Sequence, residues 1–479
     1  MTKPIRILLV TDSPQLHTGL AETTRLVFNQ LLTKYQGKYE IEQLAWFNFS
    51  DGPEKVPWKL HRTHVKMNEN NQAVPDDTDR YGQRTFEAVL RDIKPDIVWA
   101  YGDLWCFDHI LNSPSRNTFR LVVYYTIDGT PYSGGFSLPG QKSEWGAKLA
   151  NADEIVVLTE FGQHVLKGSC PEIKDKDINV IYHPSDVNRF PVFNREEKLV
   201  NRKKIYNSQI PNDGFIMGWI GRNQFRKQNH KMWEVLHYVK HGDYIECSTC
   251  NRITPKEFDW ANSTSFSTAV SIYEEGYDYT YCWYCNSKAI KSGRPISDVY
   301  LWMHTPKTDP GWNMDALSNI WDVKEKIILT GSDGQRGLPP RALAELVATW
   351  DAMLYLSGGE GFGVPAFEAM QSGVPIIYTN YSSHADFCKY GGLPVRCTFI
   401  PQEAHLINRS IADTGDAVSK VLQAYRNPHS ISKLGLAGRE FTKSKSVEII
   451  TDQWDTLFTK LYNKPLSTHG NTKIYSQLA

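Results

Sequence analysis

The sequence predicts an α/β protein built from two doubly wound, mainly parallel sheets with helices on both faces. Three observations predict it. Short apolar runs alternate with polar or helix-like segments along most of the chain, the pattern of buried strands joined by helical crossovers. Two of these runs lead through a loop directly into a helical pattern: Ile5 to Val10 before Ala21 to Leu32, and Ala352 to Leu356 before a helix closed by Gly373 and Val374-Pro375. With 479 residues, the chain is long enough for two domains of ordinary size, each with its own core.

Composition narrows the function classes. Lys and Arg total 53 and Asp and Glu total 53, so no global electrostatic argument for nucleic acid or membrane follows, although a local patch is compatible with this balance. The first strand begins within the first few residues, leaving no room for a signal peptide, and no apolar run approaches a membrane span. The expectation is a soluble cytoplasmic protein. Of 8 cysteines, four fall into two C-x-x-C pairs, which favours a reducing compartment and a metal over a disulfide scaffold.

The first domain is expected over residues 1–190. Its opening strand is followed by Thr11-Asp12-Ser13-Pro14-Gln15-Leu16-His17-Thr18-Gly19-Leu20 and a helix, the first half of a βαβ unit. Asp12 and His17 can face the crevice at the strand's end, or Asp12 can simply cap a turn beside Ser-Pro. Residues from Tyr35 to Arg80 show little periodicity and read as strands and loops. Further strands are expected at Ile97 to Ala100, Leu121 to Thr126 and Ile155 to Leu158, with helix-like segments at Arg84 to Lys94 and Gly140 to Asn151. Asp103 and Asp128 follow two of these strands. The stretch Thr130 to Lys142, rich in Gly, Pro and aromatic residues, reads as a loop over the site.

A polar stretch between Pro184 and Gly214, with a charged helix around Glu196 to Tyr206, separates the domains; the second is expected over residues 191–445. It opens with a strand at Phe215 to Ile220, then Gly221-Arg222-Asn223-Gln224-Phe225-Arg226-Lys227. Such a charge run is usually solvated surface, but directly after a strand it sits where open α/β sheets bind ligands. An insert over 241–295 carries Cys247-x-x-Cys250 and Cys282-x-x-Cys285, a spacing that supports a four-thiolate zinc ribbon or knuckle. A closed structural site is the default. Tyr277, Tyr279, Tyr281, Trp283 and Tyr284, with Lys288, Lys291 and Arg294, would equally suit base stacking and phosphate contact. Strands follow at Val299 to Met303 and Ile327 to Leu329, the latter ending in Thr330-Gly331-Ser332-Asp333, and a helix spans Leu338 to Val347. Beyond the strand Ile376 to Thr379, amphipathic helices are expected at Asp416 to Asn427 and Ser446 to Tyr462, with the region 446–479 forming a last helix and tail.

The most informative stretch is Ser357 to Ile377, SGGEGFGVPAFEAMQSGVPII. Its glycines let a ligand approach the backbone, and the helix N-terminus that follows suits phosphate oxygens. Glu360 and Glu368 are acceptor-only groups, suited to sugar hydroxyls. The glycines alone would serve any doubly wound sheet. The full string E-G-F-G-V-P-A-F-E-A-M-x-x-G-V-P, however, resembles the E-x7-E signature of retaining glycosyltransferases of the GT-B fold (group 1, or family 4-like). That resemblance implies two Rossmann-like domains facing across a cleft, with the last helix crossing back to the first.

The resemblance also implies residue roles. Glu360 contacts the donor sugar, Glu368 bonds the ribose, and the amides around Gly361, Phe362, Gly363 and Val364 hold sugar and phosphate. Arg222 and Lys227, with Arg226 able to replace either, neutralise the leaving diphosphate without a catalytic metal. Gly331 borders the nucleotide base. Gly19 stands where similar enzymes place a Gly-Gly pair near the phosphates. Where the family often has a His, this chain has Asp128, which can orient or deprotonate an acceptor hydroxyl or lead an Asx turn.

The activity so implied is transfer of a hexose, with retention, from a nucleotide-diphosphate sugar (UDP-glucose first) to an acceptor hydroxyl. The cysteine insert, read as structural Zn2+, motivates a hydroxymethylated pyrimidine in DNA as acceptor. The alternatives are a glycan, lipid-linked or small-molecule acceptor with a purely structural zinc module, and a non-catalytic nucleotide-sugar or nucleic-acid binding protein.

Overall fold

The computed structural model describes residues 3–47, 56–70, 73–132, 143–206, 211, 213–256, 280–282, 284–306, 311–331, 338–402 and 407–467. The chain forms two compact units. The first takes the chain up to Pro184 and again from Lys445, and the second Ser185–Gln402 and Asn408–Ser444.

The first unit is built on a seven-stranded sheet. From edge to edge its strands are Lys59–Arg62, Tyr39–Trp46, Ile5–Asp12, Ile97–Gly102, Arg120–Tyr125, Glu154–Val157 and Ile178–Val180. Every pairing is parallel. The inner strands are buried on both faces, which is why they read as continuous apolar runs. Tyr39–Trp46 is a full inner strand, paired with Ile5–Asp12 along its length. Its Glu40, Glu42 and Gln43 hide that role from a reading by periodicity. The helix Val447–Tyr462 belongs to this unit and packs on Gly19–Lys34. Trp454 meets Trp99 and Tyr124 edge to face, and Phe458 stacks with Phe28.

The second unit carries a six-stranded parallel sheet in the order Ile327–Thr330, Val299–His304, Phe215–Ile220, Ala352–Tyr355, Ile376–Thr379, Gly392–Val395. Strand order reverses between Phe215–Ile220 and Ala352–Tyr355, the topological switch point where open sheets form a ligand crevice. The helix Pro428–Lys443 was not expected from the sequence. Gly435 and Gly438 lower its helical propensity, but they let it approach other backbone closely: a Cβ on Gly435 would lie 2.1 Å from the Gly373 carbonyl oxygen.

Between the helix Asn229–His241 and the strand Val299–His304 the chain forms a small antiparallel sheet in the order Ile253–Pro255, Tyr244–Cys247, Ile290–Ser292. The sheet docks on the helix Thr414–Arg426. Gly415 lies against the Ile253 carbonyl, with 2.3 Å to an added Cβ, and Arg426 makes a forked pair with Glu246 at 3.0 and 3.2 Å.

Candidate functional site

Both switch-point strands of the second unit end at the same place. Phe215–Ile220 runs into a turn whose residues Phe225–Lys227 form one 3-10 turn, and Ala352–Tyr355 runs into the glycine-rich loop that starts the helix Val364–Gln371. The Gly358 amide ties the loops together by donating to the Arg226 carbonyl at 2.7 Å. A side chain there is disfavoured, since an added Cβ would fall 2.9 Å from the Ser410 carbonyl oxygen.

Glu360 is the centre of the cluster. It is 5% exposed, yet its Oε1 accepts from Lys227 Nζ and from the Tyr355 hydroxyl at 2.9 Å, and its Oε2 from Arg226 Nη1 at 3.1 Å. Burial pushes its carboxyl up, but the charges of Lys227 and Arg226 outweigh this and hold it well below the usual carboxylate range. Glu360 is therefore ionised at neutral pH, with both oxygens engaged by cations. Arg226 also donates to the Gly359 carbonyl at 2.8 Å.

A second layer holds Glu360 from behind. Its N–H donates to Ser382 Oγ at 2.9 Å, and that hydroxyl lies 3.1 Å from His384 Nδ1. Ser382 itself adopts a left-handed φ of +63°. Burial pushes the His384 imidazole down to about 4, even against the neighbouring Glu360 charge, so the ring is neutral at pH 7. His384 also explains the last glycine of the loop: Gly363 has φ +103°, and a Cβ there would meet the His384 Cβ at 2.9 Å. The sequence reading missed Tyr355, Ser382 and His384 as site residues. Tyr355 is hidden in an apolar strand, and Ser382 and His384 follow a different strand of the sheet.

The other expected positions are distributed as follows. Gly361, Phe362, Gly363 and Val364 form the turn into the helix, which has no side-chain N-cap bond; Phe362 is buried against Phe367 and Phe387. Glu368 is half-buried on that helix, with Arg189 Nη2 at 3.8 Å. Arg222 is exposed, so the arginine beside Glu360 is Arg226. Gly331 follows the strand Ile327–Thr330 with the Thr305 carbonyl packed 1.8 Å from where a Cβ would be. Ser332, Asp333, Tyr277, Tyr279, Trp283 and most of the loop from Thr130 to Lys142 lie outside the described residues.

In the first unit, Gly19 opens a helix capped by Thr18, whose hydroxyl accepts from the Ala21 amide and donates to Asp12 Oδ2 at 2.7 Å. Burial raises the Asp12 carboxyl above its usual range, and the Thr18 bond offsets part of this. Asp12 thus anchors the Thr18 cap, while His17 is exposed. Asp103 accepts from the Thr126 hydroxyl, and Asp128 is half-buried beyond the strand Arg120–Tyr125. Glu360, Lys227 and the glycine loop meet in the second unit, and Gly19 and Asp128 belong to the first.

Cys247, Cys250, Cys282 and Cys285 converge in the small antiparallel sheet, all four Sγ atoms lying within 4.8 Å of one another. Two Sγ pairs are 3.7 and 3.6 Å apart. Four sulfurs at about 2.3 Å from one tetrahedral ion would stand roughly 3.8 Å apart, so the set fits a metal of that kind. The two knuckles are built alike. The amide of Asn251 donates back to the Cys247 carbonyl and that of Asn286 to the Cys282 carbonyl, with both asparagines left-handed, at φ +57° and +56°. Donation from the Cys250 amide lowers the Cys247 thiol, whereas burial raises that of Cys250, so the clustered thiols share their protons unequally.

Two doubly wound parallel sheets, one with a glycine loop and cation cluster at its switch point, define the GT-B fold. Residues 324–429, which include the whole glycine loop and its helix, match the family described as Glycosyl transferases group 1. No curated protein matches the chain. Among solved structures, the chain resembles a sucrose-phosphate synthase from Thermosynechococcus elongatus at 14% identity, with a TM-score of 0.65 over 96% of this chain and 99% of that one. It also resembles a glycosyltransferase from Rickettsia africae at 12% identity, with a TM-score of 0.62 over 97% and 100%. A third is the Anabaena protein HepE in complex with UDP and glucose, at 12% identity, with a TM-score of 0.56 over 95% and 100%. These likenesses are of fold. Among the described residues no helix is long and apolar enough to cross a membrane.

Proposed function

We propose that the protein is a retaining glycosyltransferase that moves a hexose from a nucleotide-diphosphate sugar to an acceptor hydroxyl. The observation that carries this reading is the Lys227–Glu360–Arg226 cluster at the switch point, beside a helix N-terminus that no side chain caps. Two cations already gathered around the buried Glu360 can re-pair with a diphosphate as it binds and stabilise the negative charge it gains in leaving. Arg222, exposed in the same turn, is a third cation for that purpose. In the reaction the bond from the anomeric carbon to the diphosphate oxygen breaks and one to the acceptor oxygen forms on the same face. The acceptor proton passes to the departing diphosphate, or to Asp128 acting as base. Glu360 orients the donor sugar and Glu368 the ribose; neither is assigned as a nucleophile.

UDP-glucose is the first donor to test, supported by the fold neighbour that holds UDP and glucose. The four cysteines are proposed to hold a structural zinc, with no position left for substrate. A nucleic-acid acceptor is supported by the exposed Tyr284, backed by Arg252 at 4.4 Å from its ring centroid, and by exposed Lys288, Lys291 and Arg294 on the same module. The test is release of nucleoside diphosphate from UDP-, GDP- and ADP-sugars, with and without hydroxymethylated DNA. Release from one donor that the DNA accelerates is the expected result. DNA-independent release would discard that acceptor, and no release from any donor would discard the enzyme.

A further inference from the structure

The turn that supplies Arg226 and Lys227 also supplies an aromatic group that the cation cluster does not use. Phe225 is 63% exposed, although its two successors turn inward to Glu360. Its ring meets Trp312 edge to face at 5.2 Å, and Trp312 in turn lies 4.1 Å from the His230 ring. The placing of Trp312 is specific. Asn223 is 1% exposed and clamps the Trp312 backbone from both sides, accepting its N–H at 3.1 Å and donating to its carbonyl at 2.8 Å. The preceding Gly311 has no room for a side chain, because an added Cβ would lie 2.2 Å from the Asn223 carbonyl oxygen.

The same corner holds polar atoms with no hydrogen-bond partner among the described residues: Trp312 Nε1, His230 Nδ1 and Asn229 Oδ1, all buried. An exposed aromatic ring braced by a second ring whose backbone is fixed in place is a stacking surface suited to a planar ligand. The order of strands indicates which part of a ligand this is. Along the carboxyl edge of the sheet, Glu360 follows one switch-point strand, Phe225 to Lys227 follow the other, and Trp312 follows the strand beyond it, on the side away from Glu360. A nucleotide sugar is a chain of sugar, diphosphate and nucleoside. With the cations at the diphosphate and Glu360 at the sugar, the third portion falls on the aromatic side.

We propose that Phe225 and Trp312 form a stacking wall for the nucleobase of the donor. This inference rests on the donor reading above. The experiment measures binding of UDP, GDP, ADP and inorganic pyrophosphate to the full chain, its Phe225→Ala variant and its Phe225→Tyr variant by calorimetry. Phe225→Ala should weaken the preferred nucleoside diphosphate by about tenfold, the order expected for one lost base–aromatic stack, and leave pyrophosphate unchanged. Phe225→Tyr should restore the affinity. A nucleoside diphosphate that binds the Ala variant as tightly as the parent overturns the wall alone. Equal weakening of pyrophosphate and nucleotide overturns it too, since the loss would then lie at the phosphates. Failure of the parent chain to bind any nucleoside diphosphate would overturn the donor reading and the wall together.

Discussion

Glu360 is stabilised only as an anion, and that has a consequence separable from catalysis. Its carboxyl is held below the 4.5 of an unperturbed Glu, so it contributes stability that is present above that value and is lost as pH falls toward the folded value. Glu360→Gln removes this component and leaves the buried Lys227 and the half-buried Arg226 facing a neutral amide. The variant should lose about 3 kcal/mol at neutral pH, the range seen when one member of a buried pair is deleted. Its urea midpoint should also change less than the parent's between pH 4.5 and 3. Parallel pH curves for the two proteins would show that the carboxylate is not held by these cations. The family resemblance assigns Arg222 and Lys227 to the diphosphate, with Arg226 able to replace either, and a 3-10 turn at Phe225–Lys227 aims consecutive side chains in different directions. That is why Arg226 meets Glu360 and Phe225 faces Trp312, a pairing invisible in a linear reading.

At the scale of elements, the cysteine module is seated on the helix Thr414–Arg426, and the zinc proposed above would hold it from within through its four converging sulfurs. Gly415→Ala would force a methyl to within 2.3 Å of the Ile253 carbonyl oxygen, so the module or the helix must shift. Overpacking of this kind costs roughly 1 to 3 kcal/mol. The melting temperature should fall while bound zinc, assayed with a chromogenic chelator after unfolding, stays at the parent's ratio. Cys247→Ser should instead lower the zinc ratio itself; an unchanged ratio in that variant would refute the metal site. Much of this level was legible in the sequence. Both C-x-x-C pairs, the strands Phe215–Ile220 and Ile376–Thr379 and the glycine loop announce themselves through spacing and apolar runs. The asparagine after each second cysteine, the polar-coated strand Tyr39–Trp46 and the helix carrying Gly435 and Gly438 did not. Their placement follows from backbone conformation and close contact, which periodicity does not encode.

Among the described residues of the whole molecule, burial lowers the imidazoles of His109, His183, His230, His237, His304 and His384. Burial pushes His109, His230 and His384 down to about 4 and His183 to about 3, from an ordinary value of 6.5. His109 and His183 lie in the first unit, His230 and His384 in the second. Each stays neutral in the folded chain while the unfolded chain takes up its proton. Unfolding therefore binds protons between pH 6.5 and about 4, and stability must rise with pH through that window in both units. The contribution is complete above pH 6.5 and is lost as pH falls through the folded values. Urea midpoints measured from pH 7 down to 5, before most carboxylates titrate, should decline steadily. If the units unfold in separate steps, both steps should move together. A midpoint that stays flat over that range in either unit would mean that its histidines reach solvent in the folded state; in the second unit it would also remove the case for a neutral His384 behind Glu360.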